Sequence, residues 1–252
     1  MYLLVLIIGL CIGSFLNVCI YRIPREESIA YPSSHCTSCG YELKFYDLIP
    51  VLSYIFLRGR CRKCKEKVSI IYPLIEILNG LIYLILFIKF GLTFYFIFYS
   101  ILSSLLIVIS IIDIKTKEVY SSTTILGLVI AILYILSGAY FGKISIINSL
   151  LGGLIGYGII YLIILLTHGM GEGDADIAGI CGLFLGIKGS LVSLFLAIII
   201  GGIVASIILI FKSKDGKSEM AFGPCIALGC IISCLYGELL INLYLNMFWG
   251  KF

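Results

Sequence analysis

Eight apolar runs, most of about 20 residues, divide this 252-residue chain. Each full-length run can cross the roughly 30 Å of a bilayer's hydrocarbon as a helix. The runs lie at 2–21, 70–89, 92–112, 122–141, 145–166, 175–188, 190–211 and 221–248. Lipid offers no hydrogen-bond partners, so a spanning segment must satisfy its own backbone, and a helix does that within one run. Soluble domains are about 45–50% apolar; this chain is 61% hydrophobic and 13% charged. The predicted fold is therefore an all-α polytopic membrane protein with about eight transmembrane helices. The count turns on the sixth run, which is short and glycine-rich. The first run has neither a basic residue ahead of it nor a small-residue cleavage site behind it, so it is read as a span and not as a removed signal peptide.

The placement of basic residues tests that count, because short cytoplasmic loops carry an excess of lysine and arginine. With eight spans, Arg22, Arg25, Lys44, Arg58, Arg60, Arg62, Lys63, Lys65, Lys67, Lys115, Lys117, Lys212, Lys214 and Lys217 fall on one side. Only Lys89, Lys143, Lys188 and Lys251 fall on the other. Fourteen of 18 on one side predicts a plasma-membrane protein with both termini outside and the loop between the first two spans in the cytoplasm. The net charge of +4 then reports topology, next to a lipid bilayer, and gives no reason to expect nucleic acid. The expected organisation is a first span at 1–21, a cytoplasmic loop at 22–69, and a membrane core of about seven helices at 70–252.

That loop carries two CxxC pairs, Cys36 with Cys39 and Cys61 with Cys64. Two such turns can each present two thiolates to one tetrahedral zinc ion. Gly40 suits the tight turn after the first pair, and Arg60, Arg62, Lys63 and Lys65 offset the charge of four thiolates. The alternatives are two disulfides or unpaired thiols, and a reducing cytosol argues against disulfides. Four thiolates leave no open position for water, so zinc here would be structural rather than catalytic. His35 is read as a bystander. Cys11, Cys19, Cys181, Cys225, Cys230 and Cys234 lie within spans as small apolar residues.

Ionisable groups in or at the edge of a span are costly and need a reason. Asp113 closes the third run and Asp174 opens the sixth, so two carboxyls from distant parts of the chain reach one depth. A close carboxyl pair can divide the work of general base and general acid. The other reading is two solvated helix ends, with Asp174 favoured by a helix dipole. Gly171 and Gly173, in the loop before Asp174, would let an extended peptide approach the carboxylate. Glu172 and Asp176 are read as loop charges in water. Glu76, about two turns into the second span, either faces a cavity or pairs with a basic loop residue. Glu238 is expected to be buried or hydrogen-bonded between helices, and His168 to be interfacial. A carrier with carboxylates at the midplane is the competing class.

Taken together these residues resemble the bacterial type IV prepilin peptidases, bifunctional leader peptidases and N-methyltransferases of the GxGD class. The resemblance runs through GSFLNVCIYRIP at 13–24, the tetracysteine loop with DLIPVLSY at 47–54 and RGRCRKC at 58–64, and YPLIE at 72–76. It continues through GEGD at 171–174 and FGP at 222–224. It implies that Asp113 and Asp174 are the catalytic pair, acting on prepilin or pseudopilin precursors at the cytoplasmic face. It also implies methylation of the new amino terminus with S-adenosylmethionine, whose site has only location-based candidates, the loop and Glu76. The chain departs from the family at Asp176, where a lysine is usual, and at Tyr120–Ser121, where a proline and an acidic or amide residue are usual.

Overall fold

The computed structural model describes residues 1–167, 169–211 and 220–249. His168, Lys212, Lys214, Lys217 and Lys251 lie outside the described residues. The helices are α1 (Tyr2–Arg22), a short α2 (Leu52–Phe56), α3 (Ile71–Phe90), α4 (Phe94–Thr116), α5 (Ser121–Tyr140), α6 (Ile146–Thr167), α7 (Glu172–Phe211) and α8 (Gly223–Trp249). Seven of these, all but α2, are long and apolar enough to cross a membrane. Contacts group the chain into two compact units, Met1–Val108 and Ile109–Phe252, with the division inside α4.

In the first unit α1 and α3 pack at the distance of their backbones. A Cβ on Gly9 would lie 2.8 Å from the Gly80 Cα, and one on Gly13 would lie 2.7 Å from the Glu76 Cα. Small residues of this kind are what let helices associate in a solvent as apolar as their own side chains. Polar bonds then fix the register. Asn79 Nδ2 donates to the Gly9 carbonyl at 2.7 Å, Ser104 Oγ donates to Asn79 Oδ1 at 2.9 Å, and Tyr83 shares a 3.0 Å bond with Ser104. Asn17 Nδ2 reaches the Tyr72 carbonyl at 3.1 Å. Arg22 is buried and donates to the carbonyls of Ser28, Ile29 and Pro32, so it organises the start of the loop as well as adding charge.

In the second unit the sixth and seventh sequence runs share α7, whose hydrogen-bonded span is interrupted at Gly186 (φ 68°, ψ −175°). A Cβ on Gly156 of α6 would touch the Ala178 carbonyl and sit 3.3 Å from Ser190 Oγ. Those two residues would be about 18 Å apart along an unbroken helix. The chain therefore doubles back at Gly186, and α7 is a hairpin with arms at 172–185 and 187–211. The two arms account for the difference between eight apolar runs and seven long helices. The first arm, about 21 Å long at 1.5 Å per residue, is shorter than a full hydrocarbon crossing.

Each arm has its own glycine-lined partner. Gly152, Gly153 and Gly156 of α6 press on the first arm, and Gly229 of α8 packs on the second, where its Cβ would meet Ala197 N at 3.1 Å. Ser233 Oγ donates to the Gly189 carbonyl at 2.8 Å. From α5, Tyr134 stacks on Phe184 with ring centroids 4.6 Å apart and donates to its carbonyl. Glu238 is exposed on α8, contrary to the expected burial. Its helix turns it outward, and the α8 face that packs inward is made of Ser233, Gly237 and their neighbours.

The hairpin corner needs glycine. Its φ lies in the left-handed region, and a Cβ there would run into the Asn148 side chain, which accepts the Ile187 N–H at 3.3 Å. Gly186→Ala should destabilise the protein by about 1–3 kcal/mol, read as a lower unfolding temperature in detergent. An unchanged unfolding temperature would contradict the hairpin geometry.

Candidate active site and metal centre

Within the first unit the two CxxC pairs fold into matching turns. Cys36 N–H donates to the Tyr41 carbonyl and Gly40 N–H to the Cys36 carbonyl, both at 2.9 Å. In the second turn Cys61 N–H donates to Glu66 at 2.8 Å and Lys65 N–H to Cys61 at 3.1 Å. An isolated β-bridge closes each turn, His35 with Glu42 and Arg60 with Lys67. The residue after each second cysteine has positive φ, 67° at Gly40 and 61° at Lys65.

The turns face each other, so the four sulfurs lie within 4.8 Å of one another. The Cys36–Cys64 and Cys39–Cys61 Sγ distances are 3.8 and 4.0 Å. A tetrahedral zinc with Zn–S bonds near 2.3 Å needs sulfurs about 3.8 Å apart, so the cluster fits a structural zinc ion. At 3.8 and 4.0 Å these sulfur pairs are well beyond the roughly 2.05 Å of a disulfide bond. The Cys64 backbone N–H, directed at the Cys61 sulfur, draws that thiol down to about 6 against the opposing effect of burial. His35 is not part of the cluster; its Nδ1 lies 3.0 Å from the Ser33 carbonyl.

An ion pair braces the loop. Arg62, between Cys61 and Cys64, donates from Nε to Asp47 Oδ1 at 2.7 Å, and its guanidinium lies 4.8 Å from the centre of the Tyr46 ring. Tyr41 and the Lys44 N–H also donate to Asp47. Beneath the loop is a cavity of about 400 Å³ whose lining includes Ser14, Arg60, Tyr72 and Glu76. Glu76 is buried and accepts the Val51 N–H at 2.7 Å. Of the two roles open to it from sequence, it faces the cavity, and the Val51 bond is to a backbone amide rather than to a basic side chain.

In the second unit Asp113 sits in the last turn of α4 and Asp174 in the first turns of α7, 4% and 7% exposed. They lie within electrostatic range of each other and of Cys225 on α8. Asp113 Oδ2 accepts the Gly223 N–H at 2.9 Å. A Cβ on Gly223 would lie 2.7 Å from that oxygen and 3.3 Å from Ile177, one turn beyond Asp174. Three helix ends thus converge on one carboxyl pair. Gly223 carries no ionisable group, so its role was not visible in the sequence beyond the FGP match.

Gly171 accepts the Asp174 N–H at 3.1 Å and has open space where a Cβ would point. Gly173 lies under Val119, whose Cγ2 would be 2.8 Å from a Cβ there, so it ties the loop after α4 to the start of α7. Glu172 and Asp176 are exposed as expected, but they lie on α7 and not in a loop. Asp176 edges an apolar cavity of about 600 Å³ shared with Thr124, Leu128, Leu154 and Tyr157. Tyr120 precedes α5, and its carbonyl accepts the Thr123 hydroxyl at 2.7 Å.

A helical membrane protein with a tetracysteine cluster and a pair of buried carboxyls is the class defined by this arrangement. Residues 7–90 match the bacterial Peptidase A24 N-terminal domain, and residues 100–206 match the type IV leader peptidase family. Bacillus subtilis (strain 168) has a prepilin leader peptidase/N-methyltransferase 30% identical over 249 residues, 97% of this chain and 98% of that protein. The enzyme of that name from Neisseria gonorrhoeae is 31% identical over 86% of this chain and 84% of its own length. A type 4 prepilin-like proteins leader peptide-processing enzyme of Escherichia coli is 31% identical over 88% of this chain and 89% of its own. No solved structure matches the chain. The chain belongs to the prepilin leader peptidase/N-methyltransferase family.

Replacing any of Cys36, Cys39, Cys61 or Cys64 with serine should lower the zinc content of purified protein, measured by elemental analysis. A metal-free preparation of the unmodified chain with full thermal stability would refute a structural role for zinc.

Proposed function

We propose that this chain is a membrane aspartyl endopeptidase that removes the basic leader from type IV prepilin-like precursors at the cytoplasmic face, and that it N-methylates the new amino terminus. What supports the cleavage reading is that Asp113 and Asp174 are buried at helix ends within electrostatic range of each other, with Asp113 bonded to the Gly223 N–H at the start of α8, in a chain of the leader peptidase family. The excess of basic residues on the loop side supports the cytoplasmic orientation, with both termini outside. The position of both carboxyls at helix ends favours a site near the membrane surface over a midplane carrier.

In this reading one carboxylate takes a proton from water as the water oxygen adds to the scissile carbonyl carbon. The other carboxyl gives its proton to the amide nitrogen as the C–N bond breaks. The products are a leader with a free carboxylate and a mature chain with a free amine. The Gly223 N–H holds one Asp113 oxygen in place, which leaves the other oxygen of that carboxyl for water. Gly171, with open space beside it, is the point in the GxGD turn where an extended substrate backbone fits.

The cavity beneath the cysteine loop is within the roughly 300–1,000 Å³ of small-molecule sites, and Glu76 provides a negative group suited to a cationic methyl donor. S-adenosylmethionine, when bound, supplies the methyl group for the new amine. Glu76, Ser14 and Arg60 are the side chains that would hold it.

Asp113→Asn and Asp174→Asn should each abolish leader cleavage in liposomes without loss of the folded state, and mass spectrometry of a precursor incubated with and without methyl donor reads both chemistries. Substantial turnover by either variant would remove the catalytic assignment. Gly223→Ala should lower cleavage by at least about tenfold, the equivalent of roughly 1.4 kcal/mol of transition-state stabilisation, with zinc content unchanged.

A further inference from the structure

The stretch between the two cysteine turns is a loop by position and apolar by composition. Residues 45–57 read FYDLIPVLSYIFL, and most of the large apolar side chains point outward. Phe45 and Phe56 are 82% and 81% exposed, and Leu48, Ile49, Leu52 and Ile55 are exposed as well. Leu52, Ile55 and Phe56 share one face of α2. Apolar exposure concentrated in one short segment is a mark of an interaction site rather than of a solvated loop.

Its depth is set by a spanning helix. Val51 N–H donates to Glu76, which lies five residues, or about 7.5 Å, along α3 from Ile71. Helical side chains lean toward the N-terminus, so the contact falls near the level where α3 enters the hydrocarbon. The corner that brings the chain there is strained: Val51 is β-branched yet has φ 61° and ψ −50°. Such a conformation persists only where its surroundings hold it, and the Glu76 bond is that hold. Exposed Lys44 and Arg58 bracket the segment, one at each end.

We propose that residues 45–57 lie in the membrane interface on the loop's side, with Leu52, Ile55 and Phe56 among the upper acyl chains and Lys44 and Arg58 at anionic phospholipid headgroups. The occupant of this surface is the bilayer itself. The charge pattern matches that of interfacial amphipathic segments, which combine an apolar face with flanking basic residues. This inference rests on the assignment of α3 as a membrane span and is independent of the peptidase reading.

The chain has a single tryptophan, Trp249, so a Trp249→Phe background is spectroscopically clean. In that background Ile55→Trp and Phe56→Trp, each placed in phosphatidylethanolamine–phosphatidylglycerol vesicles, report the environment of the segment. Lipid brominated near the top of the acyl chains should lower the emission by roughly twofold or more, while aqueous acrylamide quenches it weakly. Emission that ignores brominated lipid overturns the proposal, whether acrylamide reaches the tryptophan, as for a solvated loop, or does not, as for a surface covered by protein. Zinc content checks that each variant is folded, and Phe45→Trp is a second reporter at the other end should α2 not tolerate the change. Removing phosphatidylglycerol should shift the Phe56→Trp emission to the red, and no shift would remove the anionic-lipid part of the proposal.

Discussion

Contact between backbones at glycine is the constraint from which the rest of this structure follows. In a lipid environment two apolar helices gain little by burying side chains against each other, so association depends on close van der Waals approach and a few interhelical hydrogen bonds. Gly9 and Gly13 supply that approach for α1 and α3, Gly152, Gly153 and Gly156 for α6 and the first arm of α7, and Gly229 for α8 and the second arm. Seating α7 and α8 in this way fixes the ends that carry Asp174 and the Gly223 N–H. Asp113 arrives on the last turn of α4, Asp174 on the first turns of α7, and the Gly223 N–H on the start of α8.

Some of this was legible in the sequence for simple reasons. Apolar runs long enough to span must become helices, so the element order was readable, and carboxyls at the edges of such runs stand out by their cost. The paired CxxC spacing likewise constrained the metal centre. What the sequence hid was conformational. The doubling back of α7 depends on one φ angle at Gly186, in a chain with 27 glycines that gives no local sign of which one turns. Lys65 takes in the second cysteine turn the left-handed conformation that Gly40 takes in the first, and a lysine advertises nothing of the kind.

Charged residues are placed partly as expected and partly not. Arg22 was counted for topology, yet it is buried and bonded to three carbonyls. Glu238 was expected inside and is outside, because the helical phase of α8 was not resolvable in a segment apolar on every side. Glu172 and Asp176, read as loop charges, sit on exposed turns of α7.

The paired cysteine turns carry a further implication for how the loop forms. Each turn closes on its own hydrogen bonds but holds only half a coordination sphere, so an ion seated on one turn gains its remaining ligands only when the second arrives. Residues 41–60 are the tether between them, and that tether contains both Asp47 and the Val51 corner. If an ion is bound there, its ligation, the Asp47–Arg62 bond and the seating of Val51 on Glu76 would be linked through that tether. An ion held by the four cysteines would thereby bear on the shape of the cavity that Glu76 lines.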